Sequence, residues 1–219
     1  MTKKKFAVIL SGCGPVDGSE IQEAVLLLLA IAEAGAEYHC FAPDAEQHEV
    51  VNHLTGSPMP DRRNILIESA RISRGVIEPL GDYKASDYDA LVLPGGLGAV
   101  KNLCTYAMAG DKATIRPDVK KAICDTHALH KPIGSVCIAP MVVALALRQG
   151  TITLGDGACE AAREAEAIGM THQPAEVREV VLDEKNLLFS TPCNMRKADI
   201  VDIAASSRNL IARMMEHMG

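Results

Sequence analysis

At 219 residues, 48% hydrophobic and 23% charged, the chain has the size and composition of an ordinary globule able to bury a sizeable core as one domain, residues 1–219. A net charge of −6 with no Lys/Arg cluster argues against a nucleic-acid or anionic-membrane partner, and the longest apolar run, Ala24 to Ala32, is too short to span a bilayer. Seven cysteines at irregular spacing, none in Cys-x-x-Cys, suit a reducing compartment, read here as the cytoplasm, since Met1-Thr2-Lys3-Lys4-Lys5 runs into a strand with no cleavable apolar segment.

Phe6 to Leu10 reads as a buried first strand, followed by a polar, glycine-rich loop from Ser11 to Gly18. Ser19 is the expected N-cap of the first helix, with Gln22 completing a capping box; the helix runs to about Ala34 and stops at Gly35. Tyr38 to Ala42 is a second strand. The segment from Pro43 to Arg63 is long for a loop in a compact domain, a length associated with site-lining roles. A helical pattern covers Asn64 to Ser73 and closes at Gly75, and Val76 to Pro79 is extended. Tyr88 to Leu93 is a buried strand ending in Pro94-Gly95-Gly96. Asp118 to His130 is helical, Pro132 to Val136 is a strand, and Ala139 to Arg148 is a helix. A helix from Cys159 to Ile168 is stopped by Gly169. Val177 to Leu182 and Leu187 to Thr191 flank a turn as a hairpin, and Ala198 to Met218 forms a final amphipathic helix. Strands alternating with helices predict an α/β fold: a three-layer sandwich with a mostly parallel central sheet covered on both faces.

Ligands of such sheets gather beyond the carboxyl ends of the strands. There the sequence places Gly12-Cys13-Gly14, then Glu20 and Glu23 on the following helix, Gly95-Gly96, Cys137-Ile138, and Pro192-Cys193-Asn194. Cys13, Cys137 and Cys193 thus fall at one edge. Cys137 interrupts an apolar strand just where a helix opens, between the small residues Ser135 and Ala139, as a perched nucleophile requires. A buried structural cysteine is the other reading. The helix beginning at Ala139 directs its positive end at Cys137 and favours a thiolate. Glu23 is either a first-turn acid serving the helix dipole or, if it lies against Cys137, a largely protonated carboxyl that hydrogen-bonds the sulfur and shuttles protons. Gly95-Gly96 forms a tight turn, or sets the Gly96 N–H opposite that of Ile138 as a two-donor oxyanion hole. Lys101 and Asn102 either bind a polar ligand group or lie on a solvated surface. His53, in the long loop, is the candidate mobile base, while His127 and His130 read as surface residues and His172 precedes the hairpin. No histidine pair has metal-ligand spacing, so no metal is expected. Gly12-x-Gly14-x-x-x-Gly18 is one residue longer than a dinucleotide fingerprint, so no cofactor is expected.

Taken together, Ile9-Leu10-Ser11-Gly12-Cys13-Gly14, Asp17-Gly18-Ser19-Glu20-Ile21, Cys40-Phe41-Ala42-Pro43-Asp44, Asn52-His53-Leu54-Thr55-Gly56, Pro94-Gly95-Gly96, Lys101-Asn102-Leu103 and Cys137-Ile138-Ala139-Pro140 resemble the ThiJ/PfpI superfamily, and within it the enhancing-lycopene-biosynthesis branch. The resemblance extends over essentially the whole chain. It implies a flavodoxin-like, class I glutamine amidotransferase-like fold, a homodimer, and weak glyoxalase activity converting glyoxal to glycolate. It also implies that Cys137 is the nucleophile and Glu23 its acidic partner, with Glu20 as the alternative. Many relatives carry histidine directly after the cysteine, whereas this chain has Ile138, and Pro192-Cys193-Asn194 stands where amidotransferases place His and Glu. Glutamine hydrolysis is therefore disfavoured. The expectation is a slow glyoxalase acting on a small aldehyde, with Gly95, Cys13, Asn102, His53 and Cys193 around the pocket and a possible link to isoprenoid biosynthesis. The alternative is a thiol-based stress sensor or binding protein whose catalysis is incidental.

Overall fold

The computed structural model describes residues 3–157 and 159–218. The first half of the chain contains β1 (Lys5–Ile9), α1 (Ile21–Glu33), β2 (Glu37–Ala42), β3 (Val50–Asn52), β4 (Ser57–Met59), α2 (Ile65–Ile72), β5 (Ile77–Pro79), β6 (Ala90–Leu93), α3 (Leu97–Asn102) and α4 (Tyr106–Ala109). The second half contains α5 (Pro117–Ala128), β7 (Ile133–Val136), α6 (Pro140–Leu147), β8 (Thr151–Ile152), α7 (Glu160–Ile168), β9 (Thr171–His172), β10 (Val181–Asp183), β11 (Leu188–Thr191) and α8 (Ile200–Glu216).

Seven strands form the main sheet in the order β10-β11-β7-β6-β1-β2-β5, parallel throughout except where β10 pairs antiparallel with β11. The inner order β2-β1-β6-β7-β11 is the flavodoxin-like winding. All four residues of β6, β7 and β11 are buried, as are Phe6 to Ile9 of β1. Such unbroken burial is what a parallel sheet covered on both faces demands. Right-handed crossovers put α1 and α2 on one face, where α8 packs against α1, and α5 and α6 on the other.

Three local expectations change. Glu20, not Ser19, caps α1: its carboxylate accepts the Glu23 N–H at 2.6 Å, while the Ser19 hydroxyl turns inward to accept the Ser11 N–H at 2.9 Å. A buried serine serving the glycine-rich loop is not available to the helix. The long segment after β2 is not structureless, because β3 and β4 form a small antiparallel hairpin within it. The strand pair β8–β9, only two residues each, was too short to leave a periodic signal.

Candidate active site

The winding reverses between β1 and β6, and the crevice at their carboxyl ends is the natural ligand site of this architecture. Cys137 follows β7 with φ +61°, a left-handed conformation uncommon for a residue with a Cβ. The strain is held in place from below, since the Cys137 N–H donates to the Thr191 carbonyl at 3.0 Å and continues the β7–β11 ladder. Ser135 and Ala139 are both buried against the core, so the small residues flanking the turn are needed for packing. The turn leaves the sulfur at the floor of an open cavity of about 540 Å³, with Cys137 itself 8% exposed.

Glu23, on the first turn of α1, is fully buried beneath that sulfur. One carboxyl oxygen accepts the Gly95 N–H at 3.1 Å and the other accepts the Asn194 side-chain N–H at 2.8 Å. The Cys137 and Cys193 side chains lie beside the Glu23 carboxyl and favour its charged form. A Cβ on Gly95 would sit 2.5 Å from both the Cys137 Cβ and a Glu23 carboxyl oxygen, so only glycine lets these two groups meet. Burial, with the Glu20 carboxylate adding to it, raises Glu23 from 4.5 to about 7, against the opposing pull of its hydrogen bonds.

The expected priming of Cys137 as a thiolate by the helix that follows it is not what the site delivers. Burial, the Glu23 charge and the Cys193 thiol hold Cys137 well above the ordinary thiol range, and the nearby Gly96 N–H only partly offsets them. Cys193 is likewise pushed up, by burial and by Glu23. The resting thiol is therefore protonated. The Gly96 N–H lies close enough to the sulfur to favour its charged form. Among the described residues, the Ile138 N–H donates to no protein acceptor. Gly96 adopts φ +97°, and a Cβ there would lie 2.3 Å from the Glu20 backbone nitrogen, which explains glycine at this approach.

Cys137, Glu23, Gly95, Gly96, Ile138 and Cys193 are thus brought together, and the other expected pocket residues are not. His53 fastens the glycine-rich loop: its Nδ1 donates to the Val51 carbonyl at 3.0 Å, and its Nε2 accepts from the Val16 N–H at 3.4 Å and lies 3.6 Å from Asp17. The Asn102 amide donates to the Ser11 and Asp17 carbonyls at 2.8 and 2.9 Å and accepts from His48, leaving nothing for a ligand. Lys101 bonds the Val16 carbonyl and Glu49. Cys13 lies near Arg71 and Glu68 of α2, so the three cysteines at the sheet edge do not converge. Sequence reasoning passed over Asn194 as a partner of Glu23. Its position after the last strand was the only available signal, because the two residues stand 171 positions apart. Glu20 does line the cavity, but its carboxylate is committed to capping α1 and is not the group against Cys137.

No protein-family model matches the chain. It is 36% identical to the rat (Rattus norvegicus) ES1 protein homolog, mitochondrial, over 99% of this chain and 85% of that protein. It is 38% identical to the human glutamine amidotransferase-like class 1 domain-containing protein 3, mitochondrial, over 98% and 84%. Both relatives are named as mitochondrial proteins, which overturns the cytoplasmic expectation: cysteine usage distinguishes reducing from oxidising surroundings, not one reducing compartment from another. Among solved structures, an isoprenoid biosynthesis protein with an amidotransferase-like domain from Ehrlichia chaffeensis superposes with a TM-score of 0.90 at 34% identity, covering 97% of this chain and 99% of that one. Drosophila melanogaster DJ-1beta shares the fold alone, at 18% identity and a TM-score of 0.58 over 100% of this chain and 92% of that one. The chain belongs to the family of ES1 and glutamine amidotransferase-like class 1 domain proteins, on the DJ-1/ThiJ/PfpI form of the three-layer fold.

Proposed function

We propose that the chain is a cofactor-independent glyoxalase that converts small 2-oxoaldehydes to 2-hydroxy acids. The observation that carries this reading is the placement of the fully buried Glu23 carboxyl directly beside the Cys137 side chain at the floor of the cleft. In the first step the sulfur adds to the aldehyde carbon as Glu23 takes the thiol proton. The carbonyl π pair moves to oxygen, which the Gly96 and Ile138 N–H groups hold. Glu23 returns the proton to that oxygen, completing a hemithioacetal. The ionised Glu23 then removes hydrogen from the carbon bonded to sulfur and delivers it to the neighbouring carbon. The hemithioacetal hydroxyl proton passes to the oxygen of the neighbouring carbon, so the first carbon becomes a thioester as the second carbonyl becomes an alcohol, and oxidation and reduction balance within the substrate. Water breaks the carbon–sulfur bond, releasing the 2-hydroxy acid and restoring the thiol. Glyoxal gives glycolate.

A carboxyl titrating at about 7 suits this work, because both of its forms are populated near neutral pH. The protonated resting thiol implies slow turnover. We extend the proposal to a homodimer, supported by Ile21, Val25 and Leu29, which leave an exposed apolar stripe along α1 at four-residue spacing. The name of the Ehrlichia relative supports placing the activity beside isoprenoid biosynthesis. Thiol sensing is the weaker reading, since burial keeps both site thiols protonated and Cys13 lies elsewhere. Glycolate formation from glyoxal, measured for the wild type and for Cys137→Ser, tests the reading. Loss of activity to background is expected; unchanged activity removes Cys137 from the mechanism.

A further inference from the structure

The cavity above Cys137 is far larger than glyoxal. Its volume of about 540 Å³ lies in the range of sites that enclose drug-sized ligands. Pro15, Leu97, Ile138 and Met195 supply apolar walls, and among the described residues no lysine, arginine or histidine lines it. The one charged side chain on the wall is Glu20, whose carboxylate is fixed by its capping bond to the Glu23 N–H at 2.6 Å. Two nearby cations are engaged elsewhere, Arg196 with Glu176 at 2.9 Å and Lys101 with Glu49 and the Val16 carbonyl, while Lys197, two residues past Met195, is exposed and does not line the cavity. Glu23 adds a second acidic group at the floor.

We propose that Glu20 is a charge-selecting residue and that the preferred substrate is an uncharged 2-oxoaldehyde with an apolar tail, whereas carbonyl compounds bearing a carboxylate or phosphate are rejected. This inference rests on the glyoxalase reading for the chemistry, but the selectivity belongs to the pocket and shows in any reagent that reaches Cys137. An anion brought within several ångströms of a fixed carboxylate, in a partly water-excluded cleft, loses about tenfold or more relative to a neutral isostere. The apolar walls reward a tail that covers them.

Two measurements test it. In the first, kcat/KM is determined for glyoxal, phenylglyoxal and 4-carboxyphenylglyoxal, the last two differing by one remote charge. Phenylglyoxal is expected to have the lowest KM and to exceed its carboxylated analogue about tenfold. Glu20→Gln, which keeps a capping oxygen, is expected to shrink that ratio to within about threefold. Gln22→Lys, on an exposed lining residue, shrinks it by adding a cation and serves if the first variant fails to fold. In the second, Cys137 alkylation by neutral iodoacetamide and anionic iodoacetate is followed by peptide mass analysis, with the same preference and the same relaxation expected. Equal rates for the charged and neutral members of both pairs, or a ratio unmoved by either variant, overturn the inference. Charge-selective alkylation with no turnover of any aldehyde upholds the selectivity and refutes the glyoxalase reading instead.

Discussion

Replacing Glu23 by glutamine is the sharpest probe of the buried pair, because it converts a titrating group into a neutral one of the same shape. The folded protein holds the Glu23 proton to about pH 7, against an ordinary value of 4.5, chiefly through burial. Between those two values the native state binds more protons than the unfolded chain, so this residue's contribution to stability is full at low pH and is lost as pH rises. The displacement corresponds to about 2.5 kcal/mol of wild-type stability lost between pH 5 and pH 8. In Glu23→Gln that contribution is gone. The amide oxygen can still accept the Gly95 N–H, and Asn194, at the cavity wall, can turn its own amide to accept the new N–H. Urea unfolding at pH 5 and pH 8 should therefore show the variant gaining on the wild type by about 2.5 kcal/mol across that interval, while glycolate formation falls to background. Other titrating groups cancel in the difference. Parallel stability profiles for the two proteins would mean that Glu23 is an ordinary ionised carboxylate, and the proton-shuttle argument would fail with it.

Gly95→Ala forces a methyl group to within 2.5 Å of both the Cys137 Cβ and a Glu23 carboxyl oxygen, and should cost about 1–3 kcal/mol in denaturant unfolding while abolishing turnover. His53→Ala breaks the clasp between the β3–β4 hairpin and the glycine-rich loop. It should lower stability by about 1 kcal/mol yet leave kcat within about twofold of wild type, because His53 does not line the cavity; a large loss in kcat would place this histidine back in the chemistry.

The fold was legible because its strands announce themselves: β1 and β6 are apolar runs, and β7 and β11 add only small hydroxyl residues to theirs, as a sheet covered on both faces allows. Cys137 was legible for a similar local reason, as a nucleophile-type residue at a strand-to-helix join flanked by small residues. Glu23 was half legible: sequence placed it on the correct helix, but its place beside Cys137 depends on how the start of α1 meets the turn after β6. Three residues misled. His53 and Cys13 occur in loops after strands and Asn102 at the end of α3, near where ligand-binding residues gather, yet each is turned to hold the loop from Ser11 to Gly18 or to face α2. Side-chain direction in irregular backbone has no periodicity to reveal it. Asn194 was missed because nothing in sequence joins it to Glu23 except the closure of the sheet.

The missing histidine acquires a physical meaning from the site's charge balance. A cysteine paired with histidine can rest as two opposite charges, thiolate and imidazolium. Here the partner is an acid, and ionising both groups would bury two like charges side by side. The site resolves this by admitting one negative charge at a time. That charge rests on Glu23, where the Gly95 N–H, the Asn194 amide and the Cys137 and Cys193 thiols surround it. In the mechanism proposed above, attack on an aldehyde would move the charge from carboxylate to developing oxyanion as the thiol proton crosses to Glu23, so the number of buried charges would never rise. The Gly96 and Ile138 N–H groups would then receive the charge that Glu23 gave up. Such a site needs no accumulated thiolate, and it trades speed for a thiol that stays reduced until an electrophile arrives.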